Sequence, residues 1–223
     1  MRALVWFLVV VVVLALVLDR GGKAIAEQVV ASNLQSEQGL SQEPDVSIDG
    51  FPFLDQFAEG RYDHVSASAD SVPVEDTALT LRSVRVDFRG VTTNRDFSRF
   101  TAQRAAATAT IGYAGLGRAL GVTTSYAGDG RVKISKKLSA LGGSITPSAT
   151  IEPTYERGSL RFGDLDLGDD LPDSIGSALR DAVDDAVRLD DLPFDVTVQS
   201  VRATEQGLRL TLRGKDLSYS KAS

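Results

Sequence analysis

The chain has 223 residues, 43% hydrophobic and 24% charged, with a formal charge of −6. That composition is ordinary for a globular protein, and the acidic balance excludes a general nucleic-acid binder, which needs a basic field. The absence of cysteine removes disulfides, thiolate metal sites and cysteine nucleophiles, and a single histidine, His64, removes any multi-histidine zinc site.

Residues 3–18 form an unbroken apolar run rich in Val and Leu, with Arg2 before it and Asp19-Arg20 after it. The run is long for a signal-peptide core and slightly short for a spanning helix. Ala24-Ile25-Ala26 has the small-x-small form of a signal-peptidase site, yet Ile25, Val29 and Leu34 continue a helical stripe directly after the run. Residues 1–20 are therefore read as an uncleaved membrane anchor or, second, as a cleaved signal. Both forms place the remainder, 21–223, outside the cytoplasmic membrane as one domain. Arg2 favours an orientation with the N-terminus inside, weakened by Arg20 and Lys23.

The spacing predicts an amphipathic helix over 22–38, stopped by Gly39, then a short strand at Val46-Ser47-Ile48 that runs into Gly50-Phe51-Pro52-Phe53. From Gly60 the period changes to two, through Tyr62, His64, Ser66 and Ser68. Residues 79–88 alternate again, with a slip near Ser83 that reads as a bulge. The Ala/Thr-rich stretch 100–111 reads as a strand with a helix as the competing assignment, and 113–120 as a short helix ended by Gly121. Strands at 122–126, 131–138, 144–155 and 159–167 follow as an antiparallel meander with glycine-containing turns. A helix over 171–187, opened by Pro172, has one apolar face, and 195–203 with 207–216 close the chain as a hairpin. Strands in runs rather than in alternation with helices give an α+β fold with a mostly antiparallel sheet. The economical arrangement lays the two long helices in the concave side of a strongly curved sheet, leaving an elongated apolar groove between them.

Few constellations carry chemistry. His64 lies in a strand without a nucleophile elbow and reads as a half-exposed strand histidine. Asp164, Asp166, Asp169 and Asp170 lack the closing Glu of a calcium loop, and Gly112, Gly115, Gly117 and Gly121 lack the dinucleotide fingerprint. No catalytic residue, metal ligand or cofactor site is assigned. Arg131, Lys133 and Lys137, with Lys136 adjacent, lie on one face of an alternating strand, a local basic ridge suited to anionic headgroups or, more plainly, a solvated face. Phe51, Phe53, Leu54 and Phe57 are four large apolar residues within seven positions. Burial as a corner that plugs the sheet is the favoured reading, and an exposed rim touching lipid is the other.

A broader pattern runs through these residues. The N-terminal helix, Pro44-x-Val46-x-Ile48-x-Gly50-Phe51-Pro52-Phe53-Leu54-x-Gln56, Gly60-Arg61-Tyr62, Leu192-Pro193-Phe194 and Val201-Arg202-Ala203-Thr204-x-x-Gly207-Leu208 together resemble the actinobacterial LmeA-type phospholipid-binding proteins. The resemblance implies an exported or membrane-anchored envelope protein with a fold like the tubular lipid-binding domains. It implies anionic phospholipid as partner, a part in envelope lipid or lipoglycan assembly, and no catalytic residues. The chain departs from the pattern over the Ala/Gly-rich 100–121, which bears on groove shape and ligand preference. The resulting expectation is a non-enzymatic lipid-binding or lipid-carrying protein. A structural adaptor without a cavity and a carboxylate-based envelope hydrolase are the alternatives.

Overall fold

The computed structural model describes residues 2–37, 39–73, 79–94, 99–140, 143–156, 159–162, 177, 187–188 and 196–220. Helix α1 (Arg2–Glu37) leads into strand β1 (Asp45–Asp49), the short helix α2 (Phe53–Glu59) and three long strands, β2 (Arg61–Pro73), β3 (Thr80–Thr93) and β4 (Arg99–Ile111). Helix α3 (Tyr113–Leu120) follows. After it come the short strands β5 (Thr123–Gly128), β6 (Arg131–Ser135), β7 (Leu138–Ala140), β8 (Gly143–Ile145), β9 (Ser148–Ile151), β10 (Pro153–Glu156), β11 (Ser159–Phe162) and β12 (Val187–Arg188). Strands β13 (Thr197–Thr204) and β14 (Gly207–Ser220) close the chain as the expected antiparallel hairpin.

The class is α+β with a large antiparallel sheet in the order β1-β2-β3-β4-β14-β13. This sheet is open, and of the three helices among the described residues α1 alone is long, α2 and α3 having 7 and 8 residues. The helix expected over 171–187 lies outside the described residues, save Ser177, which is helical, and Val187, which opens β12 instead. The Asp164–Asp170 cluster also lies outside them. The expected meander is three smaller sheets: β5-β6-β9, β7-β8 and β10-β11-β12.

Contacts divide the chain into two units: Met1–Ser68 with Val86–Ala105 and Lys215–Ser223, and Ala69–Arg85 with Ala106–Gly214. In the first, the apolar run and the amphipathic segment are one helix, uninterrupted at Gly21-Gly22. Ala26 and Ala31 are buried on its protein side. Ile48, Phe53, Tyr62, Val91, Ala102 and Leu217 are the larger part of that unit's buried surface. Glu27 Oε1 accepts the Ile48 N–H at 2.7 Å, tying α1 to β1.

The second unit has a filled core: Leu116 and Leu120 of α3, Val132 and Ile134 of β6, Ala149 and Ile151 of β9, and Leu208, Leu210 and Leu212 of β14, with Leu79, Ile111 and Leu160. The alternation of β14 puts those leucines inward and Arg209 and Arg213 outward. Two slips of phase are visible. Ser83 has φ 49°, and inward positions pass from Leu79 and Leu81 to Val84 and Val86, which is the irregularity the sequence predicts. Asp216, at φ 51°, moves burial from even positions to Leu217.

Helix α3 ends as its sequence predicts, with Gly121 in the left-handed region at φ 64°. Within it, Gly117 is required by close approach, since a Cβ there would lie 2.6 Å from the Val122 carbonyl oxygen. Leu116 is fully buried, so Leu116→Ala should cost about 2–5 kcal/mol. Urea denaturation should show a lowered midpoint with an unchanged slope.

Candidate functional site

Two regions collect the residues that the sequence singles out, one in each unit. The first is α2 with the turn before it. Pro52 stands at the N-cap position of α2 and supplies no capping side chain. The cap comes from α1: the Asp19 carboxylate, only 4% exposed, accepts the Leu54 N–H at 2.9 Å. A negative group at a helix N-terminus satisfies an orphan donor and complements the dipole. The helices touch where α1 has no side chain, a Cβ at Gly22 meeting Leu54 Cδ2 at 3.4 Å and the Phe53 ring at 3.6 Å. The Arg20 guanidinium lies 5.8 Å from the Phe51 ring centroid, a cation–π distance.

This attachment sorts the four apolar residues. Phe53 is 2% exposed and packs 6.0 Å from the Phe57 ring and 6.3 Å from Tyr62, whose phenol burial pushes up from its ordinary range. Phe51 is 61% exposed, Leu54 42% and Phe57 39%. The expectation of burial is corrected for these three. Phe53 occupies the inward face of this seven-residue helix, and Leu54 and Phe57, three apart, flank it at the edge of that face, touching Gly22 and the Phe53 ring while keeping part of their surface open. On α1 every position from 9 to 18 is exposed. Among the described residues no helix is long and apolar enough to cross a membrane, so the expected transmembrane helix is not found there.

His64 is placed more specifically than expected. Its Nδ1 lies 2.7 Å from Asp49 Oδ2 and its Nε2 3.1 Å from Asp87 Oδ1, bridging β1, β2 and β3. Both carboxylates are about half exposed and the ring separates them, so they do not form the buried pair that a hydrolase reading needs. Among the described residues no group of His, Asp and Glu is placed to hold a metal ion.

The second region is a cleft of about 680 Å³ beside α3, lined by Tyr113, Arg118, Thr123 and Thr124 and, across it, by Ser135, Lys136 and Lys137. No carboxylate lines it, and among the described residues none pairs with Arg118, Lys136 or Lys137. The Thr124 hydroxyl donates to the Tyr113 carbonyl at 2.6 Å, and the Tyr113 hydroxyl donates to the Thr204 carbonyl at 2.6 Å, fixing the wall. The basic ridge is thereby corrected. Strand β6 ends at Ser135, so only Arg131 and Lys133 share its exposed face, opposite buried Val132 and Ile134. Arg131 faces Asp129 at 3.9 Å. Lys137 turns away with Lys136 to meet Arg118, which the sequence reading passed over because its helical spacing relates it to nothing in β6. A second cleft, of about 660 Å³, carries mixed charge, with Arg202 beside Asp129 and Glu205. The elongated apolar groove was expected along two helices, and the second of them, 171–187, lies almost wholly outside the described residues.

The model of the LmeA-like phospholipid-binding family matches residues 17–213. The chain belongs to this family. No curated protein and no solved structure matches it. The family is a phospholipid-binding one rather than a known enzyme family, and its match takes in Asp19, the Phe51–Phe57 segment and every lining residue of the basic cleft.

Asp19→Ala should free the α2 N-terminus, at a cost of about 1–2 kcal/mol. Hydrogen exchange should show lost protection at the amides of α2 while those of β6 and β14 are unchanged. Tyr113 gives a pH test. Burial, and secondarily Tyr126, push its phenol up to about 12. The raised value means the folded state holds the proton longer than the unfolded chain, whose tyrosines titrate near 10. That stabilisation is fully present below about pH 10 and is lost as pH rises through about 12. Tyr113→Phe should flatten the alkaline decline of stability over that window in pH-dependent urea titrations.

Proposed function

We propose that the protein is a membrane-held, exported phospholipid-binding protein of the cell envelope that supports lipid or lipoglycan assembly there and prefers anionic lipid. Membership of a phospholipid-binding family over residues 17–213 carries the reading. A basic cleft supports the preference for an anionic headgroup. Arg118, Lys136 and Lys137 line one cleft with no carboxylate partner among the described residues, in a chain whose net charge of −6 would by itself repel an anionic surface. With a Debye length of about 8 Å at physiological salt, a phosphate in the cleft responds to the charges beside it rather than to the net charge of the chain. Arg131 and Lys133 stand on the open face of β6 and contribute only general attraction.

The uncleaved form of the N-terminal segment is supported by its contacts. Asp19, Arg20 and Gly22 all precede Ala24-Ile25-Ala26, and removal after Ala26 would strip α2 of its cap and its packing partner. An adaptor without a lipid cavity is the alternative reading, and the same measurement decides between them.

Native mass spectrometry of the full chain released from detergent should show retained phospholipid. From an equimolar mixture it should take phosphatidylglycerol over phosphatidylcholine. Replacing Arg118, Lys136 and Lys137 together with Ser should remove that preference, by about two orders of magnitude at roughly 1 kcal/mol per cation. The Arg131→Ser, Lys133→Ser pair should leave most of it. A fully folded chain that retains no lipid from either source would overturn the lipid-binding reading in favour of an adaptor.

A further inference from the structure

The exposed apolar side chains are not scattered. Sixteen large hydrophobics are exposed among the described residues, and all but Tyr126 and Ile145 belong to α1, α2 or the turn between β1 and α2. On α1 the exposed positions 9–18 are consecutive. At 3.6 residues per turn, ten consecutive exposed positions face every direction around the axis. A protein partner covers one stripe of a helix, whereas hydrocarbon surrounds it. The run ends at Leu18, and the next residues, Asp19, Arg20 and Gly22, hold α2 and Phe51.

We infer that Phe51, Leu54 and Phe57 form an aromatic foot that sits in the interfacial layer of a phospholipid bilayer, at the level where the α1 apolar run leaves the hydrocarbon. Three observations place it there. Leu54 and Phe57 flank Phe53 at the edge of one face of α2 and keep 42% and 39% of their surface exposed, while Asp55 and Glu59, four apart, take the opposite face, so the short helix is amphipathic and can lie with its acids toward water. Arg20 lies beside Phe51, the pairing of a cation with an aromatic ring that marks the headgroup level. The third is length. The sixteen apolar residues 3–18 reach about 24 Å at 1.5 Å per residue, against a hydrocarbon core of about 30 Å. A run too short to cross the hydrocarbon ends within the bilayer's near side, so an apolar foot at that end meets lipid rather than presenting polar groups to it. The buried Asp19 fixes the foot to the helix, so both occupy one depth.

The inference extends the proposed function by naming the surface that meets the membrane, and it does not depend on the basic cleft. The test uses the full chain reconstituted into phosphatidylglycerol–phosphatidylcholine vesicles. Trp6 is the single tryptophan, so in a Trp6→Phe background one tryptophan is placed in turn at Phe51, Leu54, Phe57, Asp55 and Glu59. The foot predicts blue-shifted emission and loss of aqueous iodide quenching at 51, 54 and 57. Lipid brominated near the headgroup end of its chains should quench these positions more than lipid brominated at the tail. Positions 55 and 59 should keep water-exposed emission. Equal iodide quenching at all five positions would overturn the proposal. Shielding of 51, 54 and 57 in detergent that deepens with protein concentration and is unchanged by vesicles would also overturn it, since a second copy would then cover the patch. Exchange protection at β14 reports that each variant is folded. Native mass spectrometry on the same samples separates the two readings. Retained lipid with a wet foot removes the foot alone, and a shielded foot with no retained lipid removes lipid carriage alone.

Discussion

The hydrogen bond from the Leu54 N–H to the buried Asp19 carboxylate organises the first unit. A seven-residue helix has too few internal bonds to persist by itself, and α2 begins at a proline that offers no cap. Its stability therefore comes from the outside: a carboxylate delivered by α1, a contact at Gly22, and Phe53 inserted beside Tyr62. Burying a carboxylate is costly unless it finds donors. The Leu54 amide repays part of that cost, and the same contact decides which face of α2 turns inward. Once Phe53 is fixed inward, helical geometry puts Leu54 and Phe57 at the edge of the same face and turns Asp55 and Glu59 to the opposite one.

Charge in this protein is meaningful only locally. The chain is acidic as a whole, yet among the described residues the cleft beside α3 gathers three cations and no carboxylate. It forms because α3 stops at Gly121 and β6 stops at Ser135, so that Arg118 from one element and Lys136-Lys137 from the segment after the other face the same space. Gly117 lets the chain at Val122 pass directly against the helix, which keeps the cleft next to α3. Net charge and pI describe solubility and long-range approach, and recognition is set at the scale of a Debye length.

Much of the fold was legible in the sequence where the physics is local. Periodicity located β1 to β4 and the closing hairpin, the slip at Ser83 was visible in the alternation, and α3 ended at Gly121 as its spacing required. The family pattern was legible too, since the Gly-Phe-Pro-Phe-Leu segment carries it and the match spans 17–213. What the sequence hid was non-local. Asp19 looked like a polar flank of the apolar run, and only the missing cap at Pro52 hinted that a carboxylate had to come from elsewhere. Phe51 and Phe53 are chemically identical neighbours, and their opposite exposures depend on where α1 lies. Lys137 continued the alternation of Arg131 and Lys133, but a period of two does not show where a strand ends, and Arg118 joins Lys137 only through the turn after α3.

The interaction pattern along α1 divides the helix into two kinds of sequence. Behind Leu18 the residues are held to particular identities: Asp19 for its carboxylate, Gly22 for its missing side chain, Ala26 and Ala31 for their size, Glu27 for its reach to the Ile48 amide. At positions 9–18 every side chain is exposed, so packing among the described residues asks little of it but apolar character. The family match starts at residue 17, two positions before Asp19. The front of the helix is thus free to drift among Val, Leu, Ile and Ala, and a substitution there is neutral as long as it stays greasy. The back evolves as protein core does, one permitted residue at a time.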